Sequence, residues 1–395
     1  MRINTFVIIL YICVVLWSNP LLDALKNAAR QKWLYPFLAL YLLHILSLLW
    51  TQDIEHGLFI LEKKASLFLL PIAIAMDLQI KKEMVYQAMF SLIIGCSLAL
   101  WFCSIYACWN YLQIADTTVF FYHELGAPLD KFNAIYFSFY AFLSLVFLFE
   151  LERKSELFQG KKWLQALLLF SLLGGLVLLS SRLFILLTLL FLLFIGLRRF
   201  QSGAFPWRYK LTAILALIFL GIGILSTSFP QQRFKELRGS DFRVLQQETF
   251  HWDTPFNGLT LRLLLLKFAM EILAEKQAFL GGVGVGDAQN ELDQTFIKHN
   301  LYHGNAELGD QGYLGYNTHN AFMELWLQIG IGGLFFFTII LGQAWGFSLN
   351  TGYYALVFMV LAITGFALIE GILERQRGIV LITYFLSIFY TGMKQ

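Results

Sequence analysis

Residues 163–180 read WLQALLLFSLLGGLVLLS and residues 182–199 read RLFILLTLLFLLFIGLRR, two apolar runs that meet at the polar step Ser180-Ser181-Arg182. A membrane-spanning helix needs about 20 mostly apolar residues, and each run has about that length. Similar runs recur along nearly the whole chain, at residues 4–18, 33–50, 58–76, 84–109, 132–150, 210–229, 319–348, 351–371 and 378–393. The pattern predicts an all-α polytopic membrane protein with about eleven transmembrane helices.

The composition excludes an ordinary soluble protein. Hydrophobic residues make up 58% of the chain and charged residues only 14%, against about a quarter charged in a typical globular domain. No run of lysine and arginine is dense enough to predict a nucleic-acid partner. The four cysteines lie in apolar windows without metal-ligand spacing, so neither a disulfide nor a metal site is expected from them.

One hydrophilic segment, residues 230–318, falls between the eighth and ninth predicted spans and is far longer than an ordinary connection. We therefore divide the chain into an N-terminal transmembrane bundle (1–229), a loop domain with amphipathic helices (230–318) and C-terminal transmembrane helices (319–395). Arg198, Arg199, Arg208 and Lys210 cluster in one short loop, which the positive-inside rule places in the cytoplasm. The long segment then faces the outside, which in a Gram-negative cell is the periplasm.

Within this segment, Leu259 to Lys276 is predicted to form a helix. At about 100° per residue, Lys267, Glu271 and Glu275 share one solvated face, and Arg262 stands on the opposite, apolar side. A guanidinium group in that position needs an anionic partner or a wet cavity.

The stretch Asn317-Thr318-His319-Asn320 closes the segment, just before an apolar helix. His319 is expected in the first turn of that helix, where the helix dipole favours a neutral imidazole that can take a proton from a hydroxyl group. The alternative is an interfacial histidine that merely caps the helix. Arg182 has two interpretations as well: a clamp for a phosphate or an arginine that snorkels to the membrane interface.

Two weaker motifs are discounted. Gly282-Val283-Gly284-Val285-Gly286 lacks the strand–turn–helix context of a phosphate-binding loop, so a turn is expected there. His299 and His303 have a spacing that could ligate a metal, but no third ligand is placed to complete a site. No metal is therefore expected.

Taken together, these residues resemble the O-antigen ligase family, which also contains O-antigen polymerases and protein O-oligosaccharyltransferases. The resemblance rests on the Ser-Arg step between two spans, the helix headed by Arg262, the glycine-rich turn, and His319-Asn320 followed by Gly330-Ile331-Gly332-Gly333. Residues 370–378, EGILERQRG, are similar to the family's final extracytoplasmic turn. The family usually has twelve spans, one more than the sequence shows here.

The resemblance implies a GT-C-like glycosyltransferase of the bacterial inner membrane with its site facing the periplasm. Such enzymes transfer a glycan from undecaprenyl diphosphate, with inversion and without metal or cofactor. The ligase passes O-antigen to the lipid A–core oligosaccharide. By this resemblance, Arg182 and Arg262 hold the diphosphate, His319 is the essential histidine, and Asn320 contributes to substrate binding.

Other functions stay open at this point. Polymerases and protein O-oligosaccharyltransferases share the donor and differ in the acceptor. A transporter of lipid-linked glycans would instead show internal repeats and charged or broken helices at mid-membrane. No repeat is seen, and the unusual polar residues cluster at one face.

Overall fold

The computed structural model describes residues 3–130, 132–155, 158, 160–201, 242–252, 254–305 and 310–393. The regular structure in these residues is helical, without a strand and with only an isolated bridge between Asn305 and Asp310. The predicted span at 210–229 lies outside the described residues.

The helices follow one another with short connections, except around the long hydrophilic segment. In chain order they are α1 (Ile3–Ser18), α2 (Leu21–Arg30), α3 (Leu34–Ser47), α4 (Ile54–Lys64), α5 (Ser66–Met76), α6 (Lys82–Ile114), α7 (Tyr122–Leu125), α8 (Ala134–Lys154), α9 (Lys162–Leu179), α10 (Arg182–Gln201), α11 (Gly258–Glu275), α12 (Ala288–Lys298), α13 (Ala321–Ile329), α14 (Ile331–Thr351), α15 (Tyr354–Ile369) and α16 (Gln376–Gly392).

Four described helices, α6, α8, α9 and α14, are long and apolar enough to cross a membrane. The first two helices form a fifth candidate, a pair bent by 113° at a short break, and α3 and α15 are shorter apolar helices. In the described residues, the prediction of an all-α protein is confirmed, and several helices have the length and apolar character that a membrane span needs. The count of eleven spans, the GT-C-like arrangement and the periplasmic placement of the loop stay predictions.

The chain packs as two compact units. The first contains residues 1–82, 240–347 and 363–395, and the second contains residues 83–239 and 348–362. Each unit is assembled from segments far apart in sequence. The division into 1–229, 230–318 and 319–395 stays a prediction.

In the first unit, α11 is the central helix of residues 242–329, and α12 and α13 pack against it. Its N-terminus is closed by a capping box, in which the Asn257 side chain accepts from Thr260 N and the Thr260 hydroxyl accepts from Asn257 N. The helix buries Leu264, Phe268 and Ile272 against α12 and α13. The predicted helix over Leu259–Lys276 is confirmed to within one residue at each end.

The face of α11 predicted to be solvated carries ion pairs to α12. Lys298 Nζ lies 2.7 Å from Glu271 and 2.6 Å from Glu275, and His299 Nε2 lies 2.9 Å from Glu271. Burial alone would raise the pKa of Glu271, but the hydrogen bonds from Lys298 and His299 outweigh it and lower this pKa below its usual value. These contacts fasten α12 to α11.

In the second unit, α8 is buried along most of its length against α9 and α10. Phe184 of α10 lies 5.6 Å from Phe139 and 6.0 Å from Phe142, ring centre to ring centre. Two residues connect α9 to α10, and Ser180 ends α9 in the left-handed conformation at φ +49°. The predicted break at Ser180-Ser181-Arg182 is confirmed.

Candidate functional site

The polypeptide just before α13 forms a tight loop that side-chain hydrogen bonds hold in place. Asn320 is the N-cap of α13, and its Oδ1 accepts from Met323 N at 2.9 Å. His319 adopts a left-handed conformation at φ +47°, and its N–H donates to Asn317 Oδ1 at 3.0 Å. A non-glycine residue in that region is uncommon and marks local strain that the surroundings must hold.

The predicted position of His319 in the first helical turn is wrong. The helix begins at Ala321, because the Asn320 side chain accepts from the free N–H of Met323 and so takes the capping role. The backbone turns left-handed one residue earlier. His319 therefore lies outside α13, so the dipole of this helix is no reason to expect a neutral imidazole there.

His319 is paired with an acidic side chain. Its Nδ1 lies 3.1 Å from Glu370 Oε2, and the carboxylate is 5% exposed while the imidazole is 25% exposed. The Tyr316 ring contacts the imidazole edge to face, with 5.7 Å between ring centres. When Glu370 accepts the Nδ1 hydrogen, the imidazole is fixed in the tautomer that leaves Nε2 as a proton acceptor. The orientation of His319 is thus set by two neighbours.

Arg262 is anchored at the end of α15. Its Nε donates to Ile369 O at 2.9 Å and its Nη1 donates to Gly258 O at 2.8 Å. A cation at the C-terminus of a helix is favoured by the helix dipole. An arginine has five N–H donors, and these two contacts leave the outer edge of the half-buried guanidinium group for a ligand.

Arg262 and His319 both bind one short segment, Leu368-Ile369-Glu370. Arg262 binds the carbonyl of Ile369, His319 binds the carboxylate of Glu370, and the Asn320 amide donates to Leu368 O at 3.0 Å. The structure therefore joins two of the predicted site residues through three consecutive residues of the chain. We call this segment the hub.

Asn320 uses both ends of its amide within the protein, as N-cap and as donor to the hub. Its predicted contact with substrate stays a prediction. Arg182 is the first residue of α10 and is half-buried in the second unit. Its predicted role in binding the diphosphate also stays a prediction.

The sequence does not single out Glu370. It belongs to residues 370–378, which resemble a family turn, but no spacing rule connects it to His319, which lies 51 positions earlier. An acidic residue directly at the end of a predicted span was the available signal, since intramembrane and interfacial carboxylates are rarely without a function.

The discounted motifs have structural roles. The glycine-rich turn packs against the end of α13, where Val283 N donates to Leu327 O and Gly284 N to Gln328 O. His299 has both ring nitrogens engaged, Nδ1 with Glu248 O and Nε2 with Glu271. Across the described residues, no three His, Cys, Asp or Glu side chains are grouped to hold a metal ion.

Comparison with known proteins gives one family match. Residues 166–338 match the family model described as O-Antigen ligase. A search of curated proteins finds no match to this chain. Arg182, Arg262 and His319 all lie within the matched residues, whereas Glu370 lies beyond them. The predicted resemblance is confirmed by this match.

Proposed function

We propose that this protein transfers a glycan from undecaprenyl diphosphate to the lipid A–core oligosaccharide, since residues 166–338 match the family model described as O-Antigen ligase. In this proposal it is a multi-pass protein of the bacterial inner membrane with its site on the periplasmic face. The lipid-linked donor, the lipid A–core acceptor and membrane lipids are its partners. The reaction inverts the anomeric carbon.

The observation that carries this proposal is the His319–Glu370 pair beside Arg262. Glu370 accepts the Nδ1 hydrogen of His319, so Nε2 is free to take the proton of the acceptor hydroxyl. The hydroxyl oxygen forms a bond to the anomeric carbon as the bond from that carbon to the diphosphate oxygen breaks. The diphosphate leaves with the electron pair, and the proton resides on His319.

The leaving diphosphate gains negative charge in the transition state. Preorganised donors aimed at developing charge supply the largest part of catalysis in many enzymes. Arg262 is held by Nε at the hub and by Nη1 at Gly258 O, so its remaining donors are preorganised for a phosphate oxygen. In the proposal, Arg182 joins it as the second guanidinium group. Two guanidinium groups provide this stabilisation without a metal.

A test uses the purified full-length protein in liposomes with an undecaprenyl-diphosphate-linked glycan as donor. Two acceptors are compared: lipid A–core and a second polyprenyl-linked glycan. We expect product with lipid A–core from the wild type and none from His319→Ala. Product only with the second lipid-linked glycan would make the protein a polymerase. Product with neither acceptor would overturn the proposal.

A further inference from the structure

A chain of buried polar side chains runs beneath the His319 loop and the Glu370 turn. At its centre is Lys64, the last residue of α4, whose side chain is completely buried. Lys64 Nζ donates to Glu374 Oε1 at 2.7 Å and to Gln328 Oε1 at 2.6 Å, and lies 3.2 Å from His44 Nε2. The three N–H donors of the ammonium group thus all have partners.

The chain continues from Gln328 to the loop that carries His319. The Gln328 amide donates to Glu324 Oε1 at 2.9 Å. The other oxygen, Glu324 Oε2, accepts from Thr318 N at 3.0 Å and from Thr318 Oγ1 at 2.8 Å. Thr318 is fully buried and directly precedes His319. Glu324 therefore fixes the backbone at the residue next to the candidate base.

At its other end the chain reaches the turn that carries Glu370. Glu374 lies four positions after Glu370, and the turn between them is compact, with Ile372 N bonded to Glu370 O and Glu374 N bonded to Gly371 O, each at 2.8 Å. Burial alone would raise the pKa of Glu374, but the positive charges of Lys64 and Lys63 outweigh it and lower this pKa. The Glu374 carboxylate fastens the turn to Lys64.

A buried network of charged side chains adds little to the stability of a protein, because the charges lose their hydration. Replacing a buried ion pair by apolar residues of similar volume is often neutral or stabilising, whereas such pairs can specify one arrangement of the chain. Here Lys64 in α4 contacts two segments that are distant in sequence, the 370–375 turn through the ion pair with Glu374 and α13 through the hydrogen bond to Gln328. These two segments lead directly to Glu370 and His319.

We propose that four buried side chains are positioning residues, which hold the His319 loop and the Glu370 turn in a fixed position relative to each other. They are Lys64, Gln328, Glu324 and Glu374. The reaction they serve is the one proposed above, so the inference rests on that function. None of the four side chains is required to touch substrate. Lys64 and Glu374 lie outside the residues that match the family model.

Two variants separate positioning from folding. Lys64→Met leaves Glu374 buried without its cation, so we expect a lower thermal midpoint and a lower kcat. Lys64→Met/Glu374→Gln removes both charges. We expect this double variant to regain most of the thermal midpoint while its kcat stays at least tenfold below wild type, with KM for the donor within about threefold. A double variant with wild-type kcat would overturn the proposal.

Glu324→Gln gives a readout that does not depend on activity. A glutamine there places an amide donor against either Thr318 N–H or the Gln328 amide, so the connection between the loop and Lys64 loses one bond while the volume is unchanged. We expect backbone amides of residues 318–320 to exchange at least tenfold faster in the full-length protein, and kcat to fall at least tenfold. Glu291→Gln, which removes only a surface pair with Lys276, is the control and should change neither.

The outcomes distinguish the two proposals. Wild-type protein without transfer activity overturns the proposed function, while hydrogen exchange in Glu324→Gln still decides whether the network holds the loop. An active wild type together with unchanged exchange and kcat in Glu324→Gln overturns the positioning role and leaves the function standing. Exchange that rises equally in Glu291→Gln would also overturn it, because the effect would not be specific to the network.

Discussion

The substitution Glu370→Gln tests the pairing of Glu370 with His319. Glutamine preserves the size of the side chain but removes the negative charge that faces Nδ1 at 3.1 Å. When His319 takes a proton from the acceptor, the imidazole becomes positive and its bond to Glu370 strengthens. The loss therefore falls on the transition state and lowers kcat more than it raises KM.

The size of the effect follows from the burial of the pair. Glu370 is only 5% exposed, so water screens its charge weakly. A hydrogen bond to a charged group contributes about 1.5–3 kcal/mol net, and each 1.36 kcal/mol is a factor of ten in rate. Glu370→Gln should lower kcat by about 10- to 150-fold.

The assay is initial-rate transfer from a lipid-linked glycan at saturating donor and acceptor, with purified protein in liposomes. Glu275→Gln is the matched control, since that glutamate is 54% exposed and pairs with Lys298 on the surface of α11. It should retain wild-type kcat. If Glu370→Gln is as active as this control while His319→Ala is inactive, the reasoning that Glu370 orients the imidazole is refuted.

Three further substitutions test other parts of the structure. Arg262→Lys keeps a positive charge but loses the planar guanidinium group and the bond to Ile369 O, so kcat/KM for the donor should fall at least tenfold. A wild-type kcat/KM would contradict the proposal that Arg262 binds the diphosphate. Gly282→Ala places a Cβ 2.6 Å from the backbone of residues 328–330 and should lower the thermal midpoint. Gly315→Ala, also at positive φ but facing open space, should lower the thermal midpoint much less. Equal effects would show that backbone strain alone causes the loss of stability. The pKa of Glu271 is lowered in the folded protein, so its stabilising contribution is present above the ordinary glutamate pKa of 4.5 and is lost as the pH falls below that value. Glu271→Gln should therefore lower the thermal midpoint at pH 7, and the difference from wild type should shrink below about pH 4.5. A difference that stays constant with pH would contradict this assignment.

Several helices of this protein follow directly from the sequence, because continuous apolar runs leave the backbone no alternative but to satisfy its own hydrogen bonds. The windows at 84–109, 132–150 and 163–180 match α6, α8 and α9. The helix at Leu259–Lys276 was equally predictable, since its 3.6-residue period and the Asn257 cap act locally. Local propensity and burial agree in these elements.

The candidate site was only partly predictable. Arg262 and His319 stand out because each is an unusual polar residue in an apolar setting. Glu370 and Lys64 do not, because their partners lie 51 and 310 positions away and only tertiary packing brings them together. The role of Asn320 as N-cap was missed for a local reason, since Asn317 and Thr318 are also good capping residues and the sequence offers no rule to choose among them.

The most direct test of the central claim is the lipopolysaccharide profile of the native host after deletion of this gene. We expect lipopolysaccharide bearing O-antigen to disappear while the undecaprenyl-diphosphate-linked glycan accumulates. The wild-type gene should restore the profile, and a gene encoding His319→Ala should not, although its product is present in the membrane. An unchanged lipopolysaccharide profile after deletion, or full restoration by His319→Ala, would contradict the account.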